Sequence, residues 1–526
     1  TGIALGAAAG GRVATTPHRA AVLFALSQFG IAIASAFVYS GLQFAVSSVS
    51  SHVLLAYLVI LPSTLFIGAT FPFAVRAVAA HTADAGRATA VVYSWNTIGA
   101  IVGALAGGFY LIPRLGFAGA AQFAVCANLL IGVIAISLSV RVPGMTLVHY
   151  RHAAALIVLA VFTAVSFEPG RPVGLMSQPL FGSSSVDEVI ERYYAVGRSS
   201  TVYLVENSQQ FGLTTNGLPE AQIEFRGSPP RLQSQRWLGL WPSLARPDVQ
   251  TMLIVGLGGG VVLEGVPPSV GSVDVVELEQ EVVNANVVIG GRRNVDPLRD
   301  SRFRIIINDA RNALRLTNRR YDAIVSQPSH PWTSGAANLY TREFFSLARN
   351  RLNDEGVFVQ WMNADLLDEK LLRRMAATLL AEFQYVRVYQ PSTLALHFVA
   401  SNSPLNIESG MARTGRPLVD SPLHFARNGI QAPIDVTAAW LLDEMGVRDL
   451  AANAAPITDD DNRMAIDSKF SATGLSTEGL TFAISALDPL LQPESEIRQS
   501  LSERDLVYVA RRLLQQRQFD RVSMLS

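Results

Sequence analysis

A strand-like run, Met252-Leu-Ile-Val255, opens into Gly256-Leu-Gly258-Gly259-Gly260 ahead of a helical pattern, and Glu277 closes the next strand-like run, Val273-Asp-Val-Val-Glu277. Glycines allow a tight turn whose backbone N–H groups approach a ligand with no Cβ in the way. A carboxylate about 20 residues further on is placed to accept hydrogen bonds from ribose hydroxyls. A third acid, Asp309, follows the run that ends near Ile307. This is the spacing of a nucleoside site. It also fits a plainer arrangement, an α/β sheet whose carboxylates cap helices, with Asp309 the N-cap of the helix after it.

The elements that would position these residues are legible as alternation. Apolar runs at Met252–Val255, Val273–Glu277, Phe303–Ile307, Tyr321–Val325, Val357–Trp361, Val386–Tyr389 and Leu394–Val399 alternate with helical patterns. That predicts a parallel, doubly wound sheet with helices on both faces. Ahead of it, Ser199 to Glu206 alternates, Asn216-Gly217 is a hairpin signal, and Gln222 to Phe225 reads as the returning strand. A small β unit therefore precedes the sheet.

Gly256 to Gly260, Glu277, Asn308-Asp309-Ala310, Tyr321-Asp322 and Asn338-Leu-Tyr-Thr-Arg-Glu-Phe-Phe345 stand in the order seen in spermidine synthases, and the chain resembles that family over roughly residues 199–400. Gly68-Ala-Thr-Phe-Pro72, Tyr93-Ser-Trp-Asn96-Thr-Ile-Gly99-Ala100 and Thr458-Asp-Asp-Asp461 resemble the bacterial group in which such a domain is fused to transporter-like helices. The resemblance implies a small β domain followed by a methyltransferase-like Rossmann domain that moves an aminopropyl group from decarboxylated S-adenosylmethionine to putrescine. It implies no tightly bound cofactor, only that nucleoside or a related one as co-substrate. Gly256, Gly258, Gly259 and Gly260 would line the nucleoside site, Glu277 would bind the ribose, and Asp309 would lie beside the adenine. The organisation expected is transmembrane helices over 1–170, a linker and small β domain over 171–250, the Rossmann-like domain over 251–402, and a mainly helical extension over 403–526.

The chemistry-bearing positions depart from that family. Where it has Asp-Ser-Ser-Asp-Pro, this chain reads Gln327-Pro-Ser-His330-Pro331, so both acids are replaced. Aminopropyl transfer needs a neutral amine, and a carboxylate must take its proton and hold the cationic substrate. Gln327 can do neither. His330 has a suitable unperturbed pKa near 6.5, though a proline-flanked loop His also serves simply as a backbone partner. Where the family places Tyr-His-Glu, the chain has Ser234-Gln235-Arg236, and Arg236 would repel a cation unless a carboxylate intervenes. Glu220 is either that carboxylate or a solvated loop residue. Gln235, Arg236, Trp332 and Tyr340 are the expected substrate-pocket residues, while Trp237 and Trp241 read as packing.

Composition places part of the chain outside water. Of 526 residues, 49% are apolar and 16% charged, against about 25% charged in a typical soluble protein. Five runs, near 20–44, 53–75, 89–112, 117–139 and 153–168, approach the roughly 20 apolar residues that a bilayer crossing requires. Gly99, Gly103, Gly107 and Gly108 read as sites of close helix packing in lipid. Arg12, Arg19, Arg76, Arg87, Arg141 and Arg151 fall in one set of loops and only Arg114 in the other, near 45–52 and 113–116. Five crossings with that bias predict a multi-pass membrane protein with the soluble domain, beginning after Pro169 and Pro172, on the non-cytoplasmic side, and the family resemblance implies that the membrane is the bacterial cytoplasmic (inner) one. The chain begins at Thr1 inside an apolar stretch, which reads as the remainder of a longer protein.

Zero formal net charge removes any whole-protein argument for nucleic acid as a partner. Lys occurs only at Lys370 and Lys469, a compositional bias. The single Cys126 leaves no disulfide framework, and His330, His397 and His424 have no short-spaced ligand pairing, so no metal site is expected. The partners expected are the lipid bilayer, a small amine, and a membrane protein complex or a second copy of the chain. Two functions remain open: a membrane-tethered transferase, resting on the glycine turn, Glu277 and Asp309, and a catalytically silent synthase-fold module for ligand recognition or protein assembly, resting on Gln327, His330 and Arg236. Transport is disfavoured because the apolar runs hold no acid–base pair.

Overall fold

The computed structural model describes residues 1–46, 52–79, 81–140, 189–229, 233–333, 335–393, 395–407, 422–468 and 484–525, with isolated residues between 151 and 167. They fall into two compact units, one spanning Thr1–Ser183 with Ala195–Thr201, the other Ser184–Tyr194 with Val202–Ser526.

The first unit is helical: α1 Gly2–Val13, α2 Pro17–Val46, α3 His52–Val78, α4 Ala85–Ala106 and α5 Ile112–Val140, with a π-helical turn at Gly107–Leu111 between the last two. Among the described residues, three stretches are long and apolar enough to cross a membrane: Pro17–Val38, Tyr57–Val78 and Ala85–Ser139. The last has 55 residues, about 80 Å at 1.5 Å per residue, more than twice the thickness of a hydrocarbon core. Gly116, at φ 67° and ψ 178°, interrupts it, separating the third and fourth expected runs. Half of the fifth run, most of the 45–52 loop, Arg141, and the boundary at Pro169 and Pro172 lie outside the described residues.

Helix α1 was not anticipated. Gly2, Gly6 and Gly10 recur every four residues, and a Cβ on Gly6 would stand 2.0 Å from the Leu65 carbonyl oxygen, so α1 and α3 touch backbone to backbone. At Gly99 and Gly103 of α4 and at Gly107 and Gly108 of the π-helical turn, no described residue lies within 4 Å of where a Cβ would stand. Small residues permit close approach, but a partner must be there to make it, and among the described residues α4 buries only Ala88.

The second unit opens with a four-stranded sheet ordered β1 (Ile190–Val196), β2 (Thr201–Glu206), β3 (Gln210–Thr215), β4 (Leu218–Glu224). Asn216 and Gly217, at φ 51° and 79°, make the β3–β4 turn, the left-handed pair that a two-residue hairpin needs. The large sheet holds β5 (Thr251–Val255), β6 (Ser272–Glu277), β7 (Phe303–Ile307), β8 (Tyr321–Ser326), β9 (Leu352–Asn363), β10 (Tyr385–Ser392), β11 (Ala395–Ser401) and β12 (Trp440–Leu442), in the order β12-β10-β11-β9-β8-β5-β6-β7.

Strands β5 to β9 pair in parallel. The rest of the sheet is antiparallel, unlike the fully parallel sheet predicted. The cause is connection length: Ser392 pairs with Ala395 across a hairpin, whereas a parallel return needs a crossover of about a dozen residues. Alternate residues feed two cores, with Met252 and Ile254 on one face and Leu253 and Val255 on the other. The segment beyond residue 402 is integral to this body. It supplies β12, Phe425, Ile430 and Val436 to one core and Ile457 and Met464 to the other.

The chain order creates the site. From β5 the sheet grows outward through β6 and β7, then returns to β5's other side with β8 and β9. Beyond the carboxyl ends of β5 and β8 lies a topological switch point, where such sheets bind ligands. Gly256 follows β5 and Gln327 follows β8.

Candidate functional site

The two loops leave the sheet in contact. The Gln327 N–H donates to the Val255 carbonyl at 3.0 Å, and a Cβ on Gly256 would stand 2.5 Å from the Gln327 carbonyl oxygen. Gly256, Gly258 and Gly260 have φ of 92°, 50° and 71°, so all three occupy backbone space that L side chains avoid. Their surroundings differ. A Cβ on Gly259 would meet Ala221 Cβ at 2.5 Å, and one on Gly260 would meet Pro297 Cγ at 2.8 Å, whereas Gly258 faces open space. Gly256, Gly259 and Gly260 thus serve close packing, and Gly258 is the glycine that leaves room for a ligand. Asn286, invisible as a site residue in the sequence because it lies in an apolar helical stretch, donates from Nδ2 to the Gly258 carbonyl at 2.7 Å and fixes the turn.

Glu277 ends β6 facing that turn. Its Oε2 accepts from the Leu257 N–H at 2.9 Å and its Oε1 from the Glu279 N–H at 3.0 Å. Burial pushes its pKa up, opposed by backbone N–H groups that favour the charged form. The Glu277 carbonyl accepts from the Asn308 N–H at 3.0 Å, which brings the Asn308-Asp309 pair alongside. Asp309 is exposed and caps the helix Ala310–Leu316 by accepting from the Asn312 N–H at 2.9 Å, the plainer of its two readings.

The other half of the site gathers around the loop after β8. His330 is 5% exposed, and burial pushes its pKa down to about 4. It is therefore held in the neutral form at pH 7. Its carbonyl accepts from the Thr333 hydroxyl at 2.7 Å, and its ring lies 5.1 Å from that of Trp332. The carboxylate at this end is Glu220, from β4. Its Oε1 accepts from Ser329 Oγ at 2.5 Å and from Thr215 Oγ1 at 2.5 Å. Gln235 Nε2 donates to the Glu220 carbonyl at 3.1 Å, so Gln235 holds the strand that carries the acid. Burial pushes Glu220 up to about 7, and the nearby Glu277 charge acts in the same direction. Tyr340 is fully buried, and its hydroxyl is pushed up by burial and by the Glu220 charge. The Tyr340 hydroxyl, Ser326 Oγ and Gln360 Oε1 have no hydrogen-bond partner among the described residues.

Arg236 stands apart from this group. It is 6% exposed and locked between two acids, with Nη2 3.0 Å from Glu224 Oε2 and 2.8 Å from Glu264 Oε2. Glu264 also takes Arg293 Nη2 at 2.6 Å. The guanidinium charge is thus compensated inside the fold and does not repel an amine. Trp237 and Trp241 are packing residues whose indoles donate to the Asn428 carbonyl and His397 Nδ1 at 2.9 and 2.8 Å. Asp459 braces the Asn338–Phe345 segment by accepting from the Thr341 hydroxyl at 2.8 Å, and it also binds Arg311 at 2.6 Å.

Comparison with known proteins agrees with this geometry. Residues 233–395 match the family model described as "Spermine/spermidine synthase domain". The chain is 26% identical over 306 residues to "Polyamine aminopropyltransferase 2" of Streptomyces coelicolor, covering 56% of this chain and 52% of that protein. It is 27% identical over 328 residues to "Polyamine aminopropyltransferase" of Corynebacterium efficiens, covering 60% of each. Among solved structures, a spermidine synthase in complex with the transition state analogue AdoDATO aligns with a TM-score of 0.40 and 18% identity, over 50% of this chain and 87% of that one. The chain spans about half the length of the first of these relatives and three-fifths of the second. Residues 233–395, which match the spermine/spermidine synthase domain model, hold the glycine turn and the carboxylate at the switch point, so this segment is similar to a spermidine synthase domain.

Proposed function

We propose that the protein is a membrane-anchored alkyltransferase that moves an aminopropyl or related group from an S-adenosylmethionine-type donor to an amine. The observation that carries this reading is the pairing of Glu277 with the open Gly258 turn at the switch point. Glu277 would accept hydrogen bonds from the ribose hydroxyls and Gly258 would leave space for the nucleoside, with decarboxylated S-adenosylmethionine the first donor to try. The test is amine-dependent release of methylthioadenosine from that donor by the purified full chain, with the alkylated amine identified by mass. Release that scales with enzyme and needs the amine supports the reading; a folded protein that binds the donor but releases nothing contradicts it.

The second reading, a catalytically silent module for ligand recognition or protein assembly, is favoured by Gln327 and by the neutral, buried His330. The three apolar helical stretches support an anchor in the bilayer. The arginine bias of the loops supports a bacterial cytoplasmic membrane with the soluble domain on its outer side, where a donor would have to be supplied locally. Under the silent reading, a membrane protein complex or a second copy of the chain is the partner.

A further inference from the structure

The loop after β8 has lost both of its acids, yet an acid reaches that loop from elsewhere in the chain. Glu220 lies 109 residues before Ser329 and meets it through Oε1, which also holds Thr215. Both hydroxyls bind the same oxygen, and among the described residues no side chain donates to Oε2, which is the oxygen we assign to the substrate. The carboxylate is held on three sides: Thr215 from β3, Ser329 from the loop, and Gln235 through the Glu220 backbone carbonyl. The titratable groups that act on it are Glu277 and Tyr340. Neither can accept the proton of an amine: Glu277 is engaged with backbone donors on the nucleoside side, and Tyr340 is a buried, protonated phenol. His330 is a buried ring that burial makes a weaker proton acceptor, at about 4, than Glu220, at about 7. Among the described residues, Glu220 is the carboxylate that both meets the substituted loop, through Ser329, and lies near Glu277.

We propose that Glu220 is the catalytic proton acceptor of this site, a carboxylate supplied by β4 in place of the two missing from the Gln327–Pro331 loop. The assignment rests on the transferase reading above. In the step it serves, the amine nitrogen forms a bond to the carbon next to the donor's sulfonium. The C–S bond breaks, its electron pair stays on sulfur as a neutral thioether, and the proton lost from nitrogen passes to Glu220 Oε2. Ser329 and Thr215 are positioning residues, since they orient the carboxylate through Oε1 and leave Oε2 toward the amine. Burial raises Glu220 to about 7, which keeps the acid close to its working pH and makes transfer rise as pH passes through that value.

The test uses the full chain, with decarboxylated S-adenosylmethionine and putrescine as probes, and reads methylthioadenosine release from pH 5.5 to 9 beside calorimetric binding of methylthioadenosine. Glu220→Gln is expected to lower release about 100-fold, the lower end of the range for removing a general base, with nucleoside affinity unchanged as proof of folding. Glu220→Asp should recover part of the rate, and Ser329→Ala should shift the pH profile while keeping nucleoside affinity. Release retained in Glu220→Gln with the wild-type pH profile overturns the assignment alone. No release from a wild-type protein that binds the nucleoside overturns the transferase reading and this assignment with it.

Discussion

The two halves of the switch-point site have been treated differently. On the proposed nucleoside side, Glu277 faces the turn, Gly258 meets no described residue within 4 Å of where a Cβ would stand, and Asn286 fixes the loop. On the amine side, the residues that suggested chemistry are neutral or structural. His330 is buried and uncharged, Arg236 belongs to an internal ion network, and the carboxylate that meets the substituted loop is Glu220 on another strand, the proton acceptor proposed above. Donor recognition depends on backbone geometry at a crossing of strands, which tolerates little change. Proton acceptance needs only a carboxylate within reach, and more than one strand can supply it.

Four substitutions sharpen or break that contrast. Arg236→Ala removes the cation between Glu224 and Glu264 and leaves both acids buried, so a loss of about 3–5 kcal/mol in stability is expected by denaturant unfolding. A gain in amine affinity at unchanged stability would instead return Arg236 to the substrate pocket. Glu277→Ala should weaken nucleoside binding about 100-fold or more, since two charge-assisted hydrogen bonds contribute about 1.5–3 kcal/mol each. Gly259→Ala drives a methyl against Ala221 and Ile223, with about 1–3 kcal/mol lost in thermal unfolding, whereas Gly258→Ala should spare the fold more and cut nucleoside affinity in calorimetry.

His330→Gln should have the smallest effect, with transfer within about threefold of wild type, since an imidazole held at about 4 is a weaker proton acceptor than a carboxylate held at about 7. The buried imidazole also sets an acid dependence. The folded protein holds His330 at about 4, below its ordinary value of 6.5, so the unfolded chain binds the proton first. Stability is therefore unaffected above about pH 6.5 and falls as pH drops from there toward 4. In His330→Gln that part of the fall should disappear from unfolding curves taken across the same interval, while the part due to His397, held at about 3 by burial, remains.

What could be read from the sequence follows the range of the interactions. Strands β5 to β8 announce themselves as short apolar runs, and the Gly256–Gly260 turn with Glu277 is a local pattern of about 20 residues. The Asn216-Gly217 hairpin is local as well. The antiparallel half of the large sheet was missed because strand direction depends on the short β10–β11 connection, and an apolar run does not report its own direction. Arg236 was misread because its partners lie 12 and 28 residues away, and Glu220 was ambiguous because it meets Ser329 across 109 residues. Helix α1 was overlooked because its glycines look like loop residues until α3 lies against them.

The central claim is that the nucleoside half of the site works, and calorimetric titration of the purified full chain with S-adenosylmethionine, its decarboxylated form and methylthioadenosine tests it most directly. The account predicts saturable binding of at least one of the three, abolished in Glu277→Ala with the fold intact. Binding of none by a folded protein, or equal binding by wild type and Glu277→Ala, would contradict it.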